Sequence, residues 1–243
     1  MPRAKAPILA PDLRELLREA RAPFEVAAFW LAPDRLAGLP RGDGHPVLFL
    51  PGFGMGDEAL RPMARTIERL GYAVYGWDEG RNFGLRTAVA ERLLVRVQDL
   101  HARHGQRVSL VGWSTGGLYA RELARARPDC VRRVITFGSP IRRHESGAAL
   151  VSRARAAFEG LLATIGKASF EPSPDAPPVP CTAIHSRSDG VVAWRAALET
   201  DAPHMENLEV DGSHLALGYN LEVLRRVAER LAIDPARSRP RKR

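Results

Sequence analysis

Ser114 stands in the run VSLVGWSTGGLYARELA, with Gly112 two residues before it and Gly116 two residues after. This GxSxG spacing suits a hydroxyl held on a sharp turn between a strand and a helix, because the glycines remove side chains that would collide with the two elements. At the first turn of a helix such a hydroxyl meets backbone N–H groups that favour a developing negative charge. A neutral serine is a weak nucleophile. It needs a base within hydrogen-bond reach and a third group that holds the base in one tautomer.

The turn requires a strand ending near Trp113 and a helix starting near Gly116, and the surrounding pattern supplies both. From His45 onward, short apolar runs alternate with amphipathic segments. PVLFL precedes a helix over about 58–70, YAVYGW precedes one over about 87–104, and RVSLVGW precedes one over about 116–127. VRRVITFGSP, PCTAIHS, a short helix near Trp194, NLEVDG and a helix over about 215–231 complete the series. Strands alternating with helices, without hairpin turns, imply an α/β fold with a mainly parallel sheet and helices on both faces. Ahead of this body, over about residues 1–40, Leu13, Leu16, Leu17, Ala20, Phe24, Ala27, Ala28 and Leu31 recur at helical spacing. They predict an amphipathic helical region interrupted near Pro23 that packs its apolar side on the main body. Residues 142–178 interrupt the alternation with the helical stretch AALVSRARAAFEGLLATI and part of the proline-rich run EPSPDAPPVP. They read as a small helical cap over the carboxyl ends of the strands, or as a helix merely packed on the sheet.

Length and composition place these elements in a single domain over residues 1–243. With 45% hydrophobic and 26% charged residues the chain can bury a core. The net charge of +8 suggests nucleic acid until its location is considered. Arg3 and Lys5 at one end and Arg237, Arg239, Arg241, Lys242 and Arg243 at the other carry all but one unit of it. The body is nearly neutral, and about 235–243 reads as a basic, disordered tail. Cys130 and Cys181 fit reduced core thiols rather than a disulfide framework or a zinc site. No apolar run suggests a signal peptide or a membrane span, so a cytoplasmic location and no stable membrane insertion are expected. Oligomeric state is not written in the sequence.

Around Ser114, over about His45 to Leu231, the chain resembles the α/β-hydrolase superfamily and in particular its lipase-like serine esterases. The resemblance implies an oxyanion hole built from the N–H of Thr115, directly after the serine, and from a loop leaving an earlier strand. LFLPGFGMGD resembles that loop and offers the N–H of Phe53, although Pro51 and Gly52 replace the frequent His-Gly pair. It also implies the chain order serine, acid, histidine, with each partner on a loop leaving a late strand. Asp189 in HSRSDG and His214 in VDGSH satisfy that order. Asp201 follows a helix, and Asp211 lies too close to His214 for easy pairing. His45, His101, His104 and His144 lie away from such loops, His185 precedes the acid, and His204 precedes the last strand. Trp113, Phe53 and Trp194 either line an apolar acyl pocket or belong to the core. The loop GWDEGRNFG either helps shape that pocket or is held by its own hydrogen bonds.

The chemistry so implied is hydrolysis of a small-molecule or lipid carboxylic ester through an acyl-enzyme, with no cofactor and no metal. A thioesterase or an acyltransferase would use the same residues. The rival from another class is a non-catalytic binding protein on the same fold.

Overall fold

Successive residues of PVLFL face opposite sides of a sheet, and both sides are apolar. Val47 and Phe49 join one core cluster, and Leu48 and Leu50 join the other. The same division runs through VSLVGW, where Val111 and Trp113 face the first cluster and Val108 and Leu110 the second. Strands buried on both faces are what a parallel sheet between two helical layers requires. The computed structural model describes residues 8, 11, 13–32, 37–142 and 170–234. These form a six-stranded sheet, β1 (Pro46–Leu50), β2 (Ala73–Tyr75), β3 (Val108–Trp113), β4 (Val131–Phe137), β5 (Cys181–Ser186) and β6 (Met205–Val210), in the order β2-β1-β3-β4-β5-β6. Every neighbouring pair is parallel.

Helix α3 (Arg61–Arg69) and the C-terminal helix α6 (Leu221–Leu231) cover one face, with Met63, Ile67, Val223, Leu224 and Val227 in its core. Helices α4 (Thr87–His104) and α5 (Thr115–Ala126) cover the other, with Leu93, Val97, Leu118 and Leu123. The order reverses between β1 and β3, because the chain goes from β1 outward to β2 and then returns to β3. That reversal opens a crevice at the carboxyl ends of the two strands. Ser114 leaves β3 at this point, and the loop 51–56 leaves β1 beside it.

The amino end differs from expectation. The chain forms α1 (Leu13–Leu17), a 3-10 turn over Arg18–Arg21 and α2 (Ala22–Leu31). Pro23 sits in the first turn of α2, where its missing N–H costs nothing, so the break lies before it. The face expected to be buried is the exposed one. Leu17, Phe24 and Leu31 are 66%, 78% and 81% exposed, whereas Glu19 is buried. Phe29 is the apolar anchor; it is fully buried and meets Tyr219 edge-on, a burial that contributes about 2–3 kcal/mol. The helix expected over 215–231 is also two elements, a 3-10 helix over His214–Tyr219 and then α6. Asn220 divides them by accepting the N–H groups of Glu222 and Val223 at its side chain, an N-cap that starts a new helix.

The helical part of the expected cap and the basic tail lie in 143–169 and 235–243, outside the described residues. The proline-rich return is tied to α5 by Arg121, which pairs with Glu199 and donates to the carbonyls of Pro174 and Asp175 at 3.2 and 2.7 Å. Cys130 and Cys181 are free, buried thiols, and burial pushes that of Cys181 up to about 12.

At the amino ends of β1 and β3 lies a second polar cluster. His45 Nδ1 bonds Asp43, and His45 Nε2 lies 2.8 Å from Ser109 Oγ, with both His45 and Ser109 fully buried. Arg132 donates to the other Asp43 oxygen at 2.8 Å. Burial holds the His45 imidazole below its ordinary pKa despite the hydrogen bond to Asp43. Burial works to raise Asp43, but the hydrogen bond and charge of His45, with Arg132 behind them, hold it at about 2.

Candidate active site

The turn at Ser114 is strained in the way its glycines anticipate. Ser114 has φ 52° and ψ −121°, a left-handed conformation that costs a non-glycine residue about 1–3 kcal/mol and persists only where surrounding structure enforces it. The enforcement is visible. Ser114 N–H donates to Phe137 O at 2.9 Å, and Ser114 O accepts from Gly117 N–H at 3.0 Å. A Cβ on Gly116 would lie 2.1 Å from the Leu50 carbonyl oxygen, and one on Gly112 would lie 2.5 Å from Gly117. Strand and helix therefore cross at a separation that only glycine permits, and the serine is pushed out at the tip.

His214 and Asp189 meet Ser114 there. His214 Nε2 is 3.1 Å from Ser114 Oγ, and His214 Nδ1 is 2.7 Å from Asp189 Oδ2. Asp189 uses its other oxygen to accept the N–H groups of Val191 and Val192 at 2.9 and 2.7 Å, which fixes the carboxylate plane. All three side chains are buried. A proton on Nδ1, facing the carboxylate, leaves Nε2 free to accept the serine proton, the tautomer needed for base catalysis.

The loop 51–56 passes against the serine. A Cβ on Gly52 would sit 3.4 Å from Ser114 Cβ, and Phe53 follows it. Thr115 is the first residue of α5, so its N–H has no partner within the helix and points toward the crevice end. The loop 76–84, whose role the sequence left open, braces this segment. Asn82 is fully buried; its Nδ2 donates to Pro51 O at 2.8 Å, and its Oδ1 accepts from Gly84 N–H at 3.0 Å. Its backbone exchanges bonds with Gly54 N–H and Met55 O at 2.6 and 2.9 Å, and Arg81 donates to Gly54 O at 2.9 Å.

The two tryptophans considered as pocket residues have other surroundings. Trp113 is 1% exposed, stacked on Phe137 with centroids 6.0 Å apart, and lies beneath the His214 ring, so its indole is core. Trp194 stacks on His185 at 5.8 Å and carries the guanidinium groups of Arg187 and Arg195 at 4.6 and 4.5 Å. Its half-buried ring is thus flanked by cationic and imidazole neighbours. Asp211, set aside as the acid, accepts from Ser188 Oγ and Arg21 and does not face His214.

Sequence reasoning placed Asn82 on a loop at the rim of the site without giving it a role, and it missed Glu19 and Glu25. Asn82 carried a signal, since an asparagine between glycines commonly bonds its own loop. The two glutamates carried none, because acids interspersed among apolar residues on an amphipathic helix read as a solvated face. Among the described residues no group of three or more His, Cys, Asp or Glu side chains is placed to hold a metal ion, and no helix is long and apolar enough to cross a membrane.

No protein-family model and no curated protein matches the sequence. Solved structures do match the fold. A monoacylglycerol lipase of Paleococcus ferrophilus aligns at 13% identity over 80% of this chain and 96% of that one, with a TM-score of 0.55. The mature lipase BlEst2 of Bacillus licheniformis aligns at 16% identity over 81% and 95%, with a TM-score of 0.56. MGS-MChE2, an α/β-hydrolase enzyme from the sediment metagenome of the Mar Chica lagoon, aligns at 16% identity over 78% and 91%, with a TM-score of 0.53. At such identities the likeness is one of architecture, and together with the six-stranded parallel sheet between helical layers it shows that this chain has the α/β-hydrolase fold.

Proposed function

We propose that the protein is a serine hydrolase that cleaves carboxylic esters through an acyl-enzyme, with Ser114 as nucleophile, His214 as general base and acid, and Asp189 as its orienting partner. The observation that carries this reading is the unbroken Asp189–His214–Ser114 hydrogen-bond chain ending on a strained serine at a helix N-terminus. Fold alone would not support it, since the same architecture serves many chemistries.

Ser114 Oγ attacks the ester carbonyl as His214 Nε2 takes its proton, and the negative charge of Asp189 stabilises the imidazolium so formed. The carbonyl oxygen becomes an oxyanion. We assign its stabilisation to the N–H groups of Phe53 and Thr115, the loop residue beside the serine and the first residue of α5. The alcohol departs with the proton from Nε2. A water then attacks the acyl-serine, His214 takes the water's proton and returns it to Ser114 Oγ, and the carboxylic acid is released. Two of the solved structures with this fold are named lipases, one of them for monoacylglycerols. This favours small-molecule or lipid esters as the substrate class. Neither a metal nor an organic cofactor takes part in these steps.

The test is labelling of purified protein with a fluorophosphonate, together with hydrolysis of short- and long-chain p-nitrophenyl esters and a thioester. Wild type should label and turn over an ester, and Ser114→Ala and His214→Ala should both lose labelling and lower kcat by about four to six orders of magnitude. Ester turnover that survives Ser114→Ala would refute the assignment. Product analysis with an added alcohol separates hydrolysis from acyl transfer.

A further inference from the structure

Glu19 lies 170 residues before the acid loop in sequence, yet its carboxylate sits between the two loops that carry the base and the acid. Its Oε1 accepts the N–H of Gly190 at 2.7 Å and that of His214 at 2.8 Å, and its Oε2 accepts the N–H of Leu215 at 2.9 Å. Glu19 is 7% exposed, and among the described residues no cation lies within ion-pair distance of it. An unpaired buried carboxylate is expensive. Here three backbone donors replace its water.

The placement of those donors is specific. Gly190 follows Asp189 directly, and one carboxylate oxygen joins it to the backbone of His214, so the spacing between acid and base is set by a shared acceptor. His214 and Leu215 are also the first N–H groups of the 3-10 helix His214–Tyr219, whose own N-cap, Ser213, makes no side-chain cap bond. Glu19 caps that helix from another part of the chain. The contact admits no spare atom: a Cβ on Gly190 would lie 2.2 Å from the Glu15 carbonyl oxygen. Glu25 extends the arrangement by one residue, accepting Ser213 N–H at 3.0 Å and Ser213 Oγ–H at 2.5 Å.

We infer that Glu19 is a positioning residue of the catalytic triad, and that the segment Leu13–Leu31 is a clamp that sets the Asp189–His214 distance through it. This rests on the serine-hydrolase reading. A misplacement of about 1 Å at a reacting group costs on the order of a hundredfold in rate, so Glu19→Ala should lower kcat by about ten- to a hundredfold with KM within about twofold of wild type. Glu19→Gln keeps one acceptor oxygen and should fall between the two. Both are assayed well below their melting temperatures beside Val227→Ala, a core variant expected to lose stability but not kcat.

Amide hydrogen exchange supplies a readout that needs no substrate. The N–H groups of Val191 and Val192 bond Asp189 and not Glu19, so faster exchange there in Glu19→Gln reports the acid loop loosening through the clamp. Full kcat in Glu19→Ala, or unchanged exchange at Val191 and Val192 in Glu19→Gln, would overturn the inference. If wild type turns over no ester, the serine-hydrolase reading fails on its own, and the exchange result still decides whether Glu19 holds the two loops.

Discussion

Removing the Asn82 side chain tests whether the loop after β1 is held in place for chemistry or only for stability. Asn82→Ala deletes the bonds to Pro51 O and Gly84 N–H and leaves both groups without those partners. Pro51 is buried, so its orphaned carbonyl costs about 1–3 kcal/mol, and the half-buried Gly84 N–H falls at the low end of that range. The sum is about 2–4 kcal/mol. In a domain of this size that lowers Tm by roughly 5–15 °C. Losing an oxyanion donor altogether costs about 10²–10³ in kcat. Here the backbone bonds of Asn82 to Gly54 and Met55 remain, so Phe53, the donor we propose, is loosened rather than removed, and a kcat loss of about tenfold to a hundredfold with little change in KM is expected. Asn82→Asp should be worse, because it sets a second acceptor against the Pro51 carbonyl. Thermal melts and steady-state kinetics on a p-nitrophenyl ester, at a temperature where both variants are folded, measure the two effects separately. A variant that melts 10 °C lower yet keeps kcat within twofold of wild type would refute the link between this brace and the oxyanion donors.

Asp189→Asn keeps an acceptor for Val191 and Val192 but favours the wrong imidazole tautomer, so kcat should fall by about 10³–10⁴ with almost no change in Tm; a large Tm loss would mean that the carboxylate is chiefly structural. Glu199→Ala strands the Arg121 guanidinium, which burial already holds down at about 10, and should cost about 3–5 kcal/mol. The double variant Arg121→Met, Glu199→Ala should recover part of that loss in urea melts, and a strictly additive result would argue against the buried pair. Acid should destabilise the protein in two steps through the Asp43–His45 cluster. The unfolded histidine gains a proton below about pH 6.5 while the buried one resists, so stability falls from there downward. Asp43, held at about 2 against an ordinary 3.8, adds a loss as pH drops from about 4 toward 2. His45→Gln should flatten the Tm profile between pH 7 and 5, and an unchanged slope would place the titration elsewhere.

The strand and helix alternation was legible because each element repeats one physical demand. PVLFL and VSLVGW must be apolar on both faces, and the helix at Thr87–His104 shows its own period and stops at Gly105, which adopts φ 62°. The serine elbow was legible for the same reason, since a close crossing needs glycine at fixed offsets. What escaped were interactions that satisfy backbone donors from far along the chain. Glu19 serves the N–H groups of Gly190, His214 and Leu215, and nothing in LREAR distinguishes it from Glu15. The inverted exposure of the first helices has the same cause: the loops they cover offer unpaired N–H groups, so the polar side of the segment turns inward and the leucines turn out. Trp113 was ambiguous because an indole at the end of a strand fits both a core and a pocket wall; stacking on Phe137 decides for the core.

Asp43, His45 and Ser109 reproduce, atom type for atom type, the relay that Asp189, His214 and Ser114 form across the sheet. The two trios share one hydrogen-bond pattern, so under the proposed function Ser109 is an internal control for what that pattern alone contributes at Ser114. Ser109 lies within a strand, fully enclosed, with no helix N-terminus ahead of it and no path for an acyl group. A phosphonate that discriminates between the two hydroxyls reports strain, access and electrostatic preorganisation, since the hydrogen-bonded trio itself is common to both.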